Sequence, residues 1–124
     1  MMVLAAVTVS LPTGAQQRYS RGDFANAQKL LRPLADQGVA LAQYRLAEMY
    51  LKGEGVPQDF VEAVKWYRLA ANRGDVSAQY KLGTMYANGE GVPQDKILAH
   101  MWFNLSAAHG RRSGQRTEMR SNGS

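Results

Sequence analysis

Residues 42–77 read AQYRLAEMYLKGEGVPQDFVEAVKWYRLAANRGDVS, and residues 78–113 read AQYKLGTMYANGEGVPQDKILAHMWFNLSAAHGRRS. Nineteen of the 36 aligned positions are identical, including the run GEGVPQD at Gly53–Asp59 and again at Gly89–Asp95. A match of that length in that register is an internal repeat, and a repeat of this period decides the architecture before any single helix is considered. A half copy precedes the two. Asp23, Phe24, Ala27, Arg32, Ala35 and Gly38 match Asp59, Phe60, Ala63, Arg68, Ala71 and Gly74 at the same 36-residue offset. The chain divides into an N-terminal half repeat at 16–41, full repeats at 42–77 and 78–110, and a basic, flexible tail at 111–124.

Each repeat resolves into two helices. In the first, Ala42, Leu46, Met49 and Tyr50 fall at the i, i+4, i+7, i+8 spacing of one amphipathic stripe. Gly53 and Gly55 end it, and Pro57 keeps the residue before it out of helix. Asp59 is a good N-cap, and Glu62 three residues on completes a capping-box pattern. The second copy keeps Asp95 but has Leu98 in place of the Glu, so a weaker cap is expected there. The second helix carries Ala63, Trp66, Tyr67 and Ala70 and stops at Gly74, with Asp75 placed to cap the next. Such short connections make neighbouring helices antiparallel. Small residues recur in register (Ala42/Ala78, Ala47/Gly83, Ala63/Ala99, Ala71/Ala107), so helix axes can approach closely. Trp66/Trp102, Tyr50/Tyr86 and Met49/Met85 then fill the core.

The pattern AxYxLGxMYxxGxGVPxDxxxAxxWYxxAAxxG resembles the Sel1-like repeat, a relative of the tetratricopeptide repeat, over about residues 20–110. The 36-residue period and the long GEGVPQD loop favour it over the 34-residue tetratricopeptide unit. Two positions depart from the pattern: Ala47 stands where it has Gly, and Pro33 lies inside the half-repeat helix, where it should kink that helix or mark its last turns. The resemblance implies an all-α, right-handed α-solenoid of antiparallel helix pairs. It also implies an adaptor or scaffold in a protein assembly, and many bacterial members are exported. A cell-envelope regulator or accessory factor, acting through a sensor kinase or a peptidoglycan-linked partner, is the second function the resemblance permits.

Composition narrows the chemistry. The chain has 124 residues, 45% hydrophobic and 20% charged, a soluble globular balance. It has no cysteine, which excludes a disulfide framework, a Cys-containing metal site and thiol catalysis. Of the formal charge of +5, +3 falls on the last fourteen residues, where Arg111, Arg112, Arg116 and Arg120 face Glu118. The body interleaves both signs, so nucleic-acid binding is not expected. Residues Met2–Leu11, MVLAAVTVSL, form an uncharged apolar run too short to span a bilayer. Small residues at Thr13 and Ala15 follow, so residues 1–15 resemble a secretory signal peptide, although no Lys or Arg precedes the run. The alternative is a buried N-terminal element. The mature chain is expected in the periplasm or outside the cell, without stable membrane insertion; without a leader at 1–15 it is expected in the cytoplasm.

No enzyme constellation emerges, and neither catalytic residues nor a cofactor is assigned. His100 and His109 are nine residues apart, on opposite sides of one helix, and no third ligand is near. His109 would sit in a last helical turn, where a cationic form suits the dipole. The GEGVPQD loop lacks the third Gly and the Lys of a phosphate cradle, and it offers too few oxygens for calcium. It reads as a turn-and-cap device. There is no Ser-x-x-Lys, so the penicillin-linked activity of some Cys-rich relatives is not carried over.

Recognition therefore falls to the surface. Arg45, Glu48 and Lys52 lie opposite the core stripe of one first helix, and Lys81, Thr84 and Asn88 are their counterparts in the next. These differ between copies while core positions match, so the six are the candidate contacts for a protein or peptide on the concave face. After Gly110 the repeat pattern ends and offers only Met119 as a sizeable apolar group. Ile97, Met101 and Leu105 are expected to stay partly exposed for want of a cap. That predicts marginal monomer stability, or self-association through the C-terminal helix.

Overall fold

The computed structural model describes residues 23–122, with side chains to residue 112. The leader reading at 1–15, the start of the half repeat and the side chains of the tail lie outside the described residues. Five helices follow one another: α1 (Phe24–Asp36), α2 (Ala40–Lys52), α3 (Phe60–Asn72), α4 (Val76–Asn88) and α5 (Lys96–Asn122). The first four have 13 residues each, about 20 Å of helix at 1.5 Å per residue. Each helix packs on the next in chain order. The result is an α-solenoid of about two and a half helix pairs. Pro33 stands inside α1 within its last turns, close enough to the end that the helix closes normally and Gln37 N donates to the Pro33 carbonyl.

The seven-residue loop accounts for its own repetition. Gly53 and Gly89 have the same left-handed conformation (φ 71°, ψ 38°) and end α2 and α4 by donating to Met49 O and Met85 O. Val56 and Val92 pack half-buried against the core. Gln58 and Gln94 turn back to donate from Nε2 to the Leu51 and Ala87 carbonyls, at 2.9 and 2.8 Å, satisfying last-turn carbonyls that the helix leaves open. Asp59 and Asp95 donate their amides to Tyr50 O and Tyr86 O, both at 2.9 Å. The repeated loop is a helix-to-helix corner held by its glycine, glutamine and aspartate at the same places in both copies.

These bonds correct the expected capping difference. Glu62 N donates to Asp59 Oδ1 at 3.1 Å, but the Asp59 amide is already held by Tyr50, so Glu62 does not close a capping box. The Glu62 carboxylate instead lies 4.0 Å from Lys65 Nζ. In the second copy Asp95 Oδ1 accepts from Ile97 N at 3.1 Å and Leu98 N at 3.0 Å. The cap without Glu is as complete as the one with it. Asp75 caps α4 as expected, through Ala78 N at 2.9 Å, whereas Val39 in the same place before α2 offers no side-chain cap.

The core runs continuously through the array. Leu31, Leu46, Met49, Tyr67, Leu82 and Met85 are fully buried, Trp66 is nearly so, and the small residues Ala42, Ala47, Ala63, Ala70 and Ala78 have no exposure. Tyr50, Tyr86 and Trp102 complete it from half-buried positions. The Ala47/Gly83 difference has a local cause. A methyl at Gly83 would lie 2.8 Å from the Phe103 ring, so the second copy packs that ring directly on helix backbone.

Two polar residues hold successive pairs together. Gln43 and Gln79 are 3% and 1% exposed, and their Nε2 groups donate to Ala35 O and Ala71 O, each at 3.1 Å. The Oε1 of Gln79 meets His109 Nδ1 at 3.2 Å, and Ser106 Oγ donates to Val76 O at 3.0 Å. His109 is therefore a clasp between α4 and α5. Because α5 continues to Asn122, it is not in a last turn. His100 is exposed.

Ile97, Met101 and Leu105 are exposed, at 83%, 46% and 37%, but not for lack of a cap. Val61 and Leu69, the counterparts of Ile97 and Leu105, are 64% and 41% exposed with a following repeat in place. This row is the outer face of every second helix. The positions that a following repeat covers are Val64 and Ala71, each 2% exposed. Their counterparts His100 and Ala107 are exposed, and there the polar histidine replaces the buried valine.

Candidate partner-binding surface

The first helices α2 and α4 turn their core stripes inward and leave a second stripe at four-residue spacing. It comprises Tyr44, Glu48 and Lys52 on α2 and Tyr80, Thr84 and Asn88 on α4, with Arg45 and Lys81 alongside. Of the six residues expected here, Lys52 and Asn88 are fully exposed, one at the end of each helix. Lys52 lies in the last turn, where its charge complements the helix dipole. Arg45 and Glu48 are brought together: Nη1 lies 3.3 Å from Oε1, on side chains 27% and 13% exposed. This pair is recessed rather than displayed. Lys81 and Thr84 are half-buried, and the Thr84 hydroxyl donates to Tyr80 O at 3.2 Å.

The stripe also contains two tyrosines, which do not vary between the copies and are not among the six expected residues. Tyr80 is 58% exposed and its ring tilts against Phe103 with centroids 5.3 Å apart. Tyr44 meets buried Tyr67 edge-on at 5.6 Å. Burial pushes the Tyr44 phenol above its ordinary value of 10.0, and the carboxylates of Glu48 and Asp75 reinforce the shift. Their signal in sequence is plain in hindsight: identical tyrosines in both copies, off the Ala42–Leu46–Met49 core stripe. A residue shared by both repeats can still face outward.

The described residues contain no group of three or more His, Asp or Glu side chains placed to hold a metal ion. Among the described residues no helix is long and apolar enough to cross a membrane.

A polar-faced stripe carried on stacked helix pairs defines an α-solenoid repeat scaffold. The Sel1 repeat profile matches residues 40–75 and 76–110, so the chain belongs to the Sel1 repeat family. Those units begin where α2 and α4 begin, at Ala40 and Val76. Among solved structures, the chain is similar to a Sel1 repeat protein from Oxalobacter formigenes, at 39% identity and a TM-score of 0.69 over 70% of this chain and 25% of that one. It is also similar to c5321, described as a protective antigen present in uropathogenic Escherichia coli strains and displaying an SLR fold, at 44% identity and a TM-score of 0.72. That match covers 82% of this chain and 23% of the other, so the chain spans about a quarter of the length of either relative. No curated protein shows significant similarity. Membership of the family supports a protein–protein interaction module, on a fold that is typically a non-catalytic scaffold.

Proposed function

We propose that the chain is an adaptor that docks a protein or peptide along the concave side formed by its first helices. The observation that carries this reading is a division of labour within the repeat. The corner GEGVPQD and most of the core positions, among them Ala42/Ala78, Leu46/Leu82, Met49/Met85 and Trp66/Trp102, are the same in both copies. The outward stripe instead changes chemistry, from Arg45, Glu48 and Lys52 to Lys81, Thr84 and Asn88. A shared skeleton with differing outer side chains lets successive repeats read successive parts of one ligand. Exposed Tyr80 supplies an aromatic anchor of the kind that dominates binding energy, and the charged neighbours supply register. Export through a leader at 1–15 belongs to the same reading and places the partner in the cell envelope or outside it.

The test is capture from an envelope fraction with the native chain beside two variants. Lys52→Glu with Lys81→Glu reverses the accessible charge without breaking the Arg45–Glu48 pair, and Tyr80→Ala removes the anchor. Loss of the same partner with both variants, at unchanged helical content, is the expected result. A partner retained equally by all three chains overturns the assignment of this face.

A further inference from the structure

A cleft of about 370 Å³ lies away from the first-helix stripe, between α1, the α1–α2 turn and α3. Its walls hold three cations and one carboxylate: Arg32, Lys65 and Arg73 against Asp36. Asp36 is engaged by Arg32, with Oδ1 3.6 Å from Nε. Arg32 and Lys65 both stand over the Trp66 indole, at 5.3 and 5.7 Å from its centroid. Arg73 is exposed, has no ion pair among the described residues, and lies so close over the turn at Gly38 that any side chain there would collide with it. Two walls of the cleft also carry buried polar atoms without a hydrogen-bond partner, Gln43 Oε1 and Trp66 Nε1, on side chains 3% exposed.

The next repeat supplies an internal comparison. There Gln79 stands for Gln43, Trp102 for Trp66, Met101 for Lys65 and His109 for Arg73. The skeleton is kept, and Arg68 stands for Arg32, but the charges at Lys65 and Arg73 are gone, and His109 closes onto Gln79 Oε1 at 3.2 Å. In the first copy no internal group takes that acceptor; Arg73 at the same opening has no ion pair among the described residues, and Lys65 beside it lies 4.0 Å from the Glu62 carboxylate. A buried acceptor left open costs stability unless something donates to it.

We propose that this cleft binds an acidic peptide segment of a partner protein. A carboxylate of the segment lies between Lys65 and Arg73, and a main-chain N–H donates to Gln43 Oε1 where His109 does so in the second copy. An adjacent apolar side chain rests on Leu69, which is 41% exposed beside the same opening. The pairing supplies the carboxylate with charge-assisted donors and the cleft with the donor it lacks. The inference does not rest on the first-helix reading, because the two sites share no residue.

The test uses the full chain, ¹⁵N-labelled, with the Trp66 indole N–H as reporter and Trp102→Phe for its assignment. The probe is a blocked hexapeptide, Ala-Leu-Glu-Asp-Leu-Ala, against its amide counterpart, Ala-Leu-Gln-Asn-Leu-Ala, and against inorganic phosphate. Saturable movement of the Trp66 resonance by the acidic peptide alone is the expected result. Lys65→Met with Arg73→His, the residues that the same scaffold already carries one repeat later, should weaken that binding at least about tenfold. Lys52→Glu with Lys81→Glu should leave it unchanged, which separates this site from the stripe. Three results overturn the proposal: equal response to the amide peptide, equal response to phosphate, or undiminished binding by the Met/His variant.

Discussion

Gly89 and Gly91 share a conformation but not an environment, so alanine at each separates backbone strain from the seam between repeats. Their φ angles are 71° and 74°, and a left-handed residue with a Cβ costs roughly 1–2 kcal/mol at either place. At Gly89 the added methyl meets Gln94 Cβ at 3.3 Å and the Gln94 amide nitrogen at 3.4 Å, tight contacts within the same loop that a small shift relieves. At Gly91 it overlaps the carbonyl of Phe60, with the carbonyl carbon at 2.6 Å, and reaches Val64 Cγ2 at 3.0 Å. That obstacle is the backbone of the preceding repeat, so the loop must lift off α3, an overpacking cost of about 1–3 kcal/mol more. Gly89→Ala should therefore lose about 1–2 kcal/mol, and Gly91→Ala roughly 2–5 kcal/mol. For a domain of this size the larger loss lowers Tm by roughly 10 °C or more. Urea unfolding of the full chain, read by tryptophan emission, measures both. Adding Val64→Ala should not rescue Gly91→Ala, since the clash is with main chain. Gly53 and Gly55 repeat the contrast, the latter with Phe24 carbonyl carbon at 2.7 Å. Equal losses at Gly89 and Gly91 would refute the claim that the loop is seated on the preceding repeat.

Three further outcomes follow from individual bonds. Gln79→Met strips a donor from Ala71 O and an acceptor from His109, and should cost about 1–3 kcal/mol in denaturant titration; Gln43→Met, which removes the one hydrogen bond to Ala35 O, should cost less. Asp95→Ala removes an acceptor shared by two amides and should cost about 0.5–2 kcal/mol, whereas Glu62→Ala should stay within about 0.5 kcal/mol. A capping box at α3 would make Glu62→Ala the equal of Asp95→Ala. The Tyr44 phenol is raised above 10.0 in the fold, so the native state holds its proton more tightly than the unfolded chain does. Its contribution is complete below that value and is lost as pH rises through the folded pKa. The difference in stability between the native chain and Tyr44→Phe should be flat near neutrality and shift against the native chain above about pH 10.

The architecture was legible because repetition makes one reading testable against another. Gly53 and Gly89, Asp59 and Asp95, and Met49 and Met85 each had to serve the same purpose twice, and they do. The outward stripe was legible only in part. Helical spacing places Arg45, Glu48 and Lys52 opposite the core, but periodicity carries no depth, and the Arg45–Glu48 pair proves recessed. Variation between copies does not mark every outward residue, since Tyr80 is exposed and identical to Tyr44.

Local chemistry alone determined the helices and their corners. Left-handed glycines and capping aspartates act over a few residues, and the 36-residue period gives each of these signals twice. What joins one helix pair to the next was decided by tertiary structure. Whether Asp59 has an amide to spare depends on Tyr50, and whether Gly91 tolerates a methyl depends on Phe60. Whether Gln43 keeps an open acceptor depends on Arg73 lying where His109 lies one repeat later. Each is a contact between segments whose separation in sequence says nothing of their distance in space, and burial and hydrogen-bond satisfaction are properties of that distance.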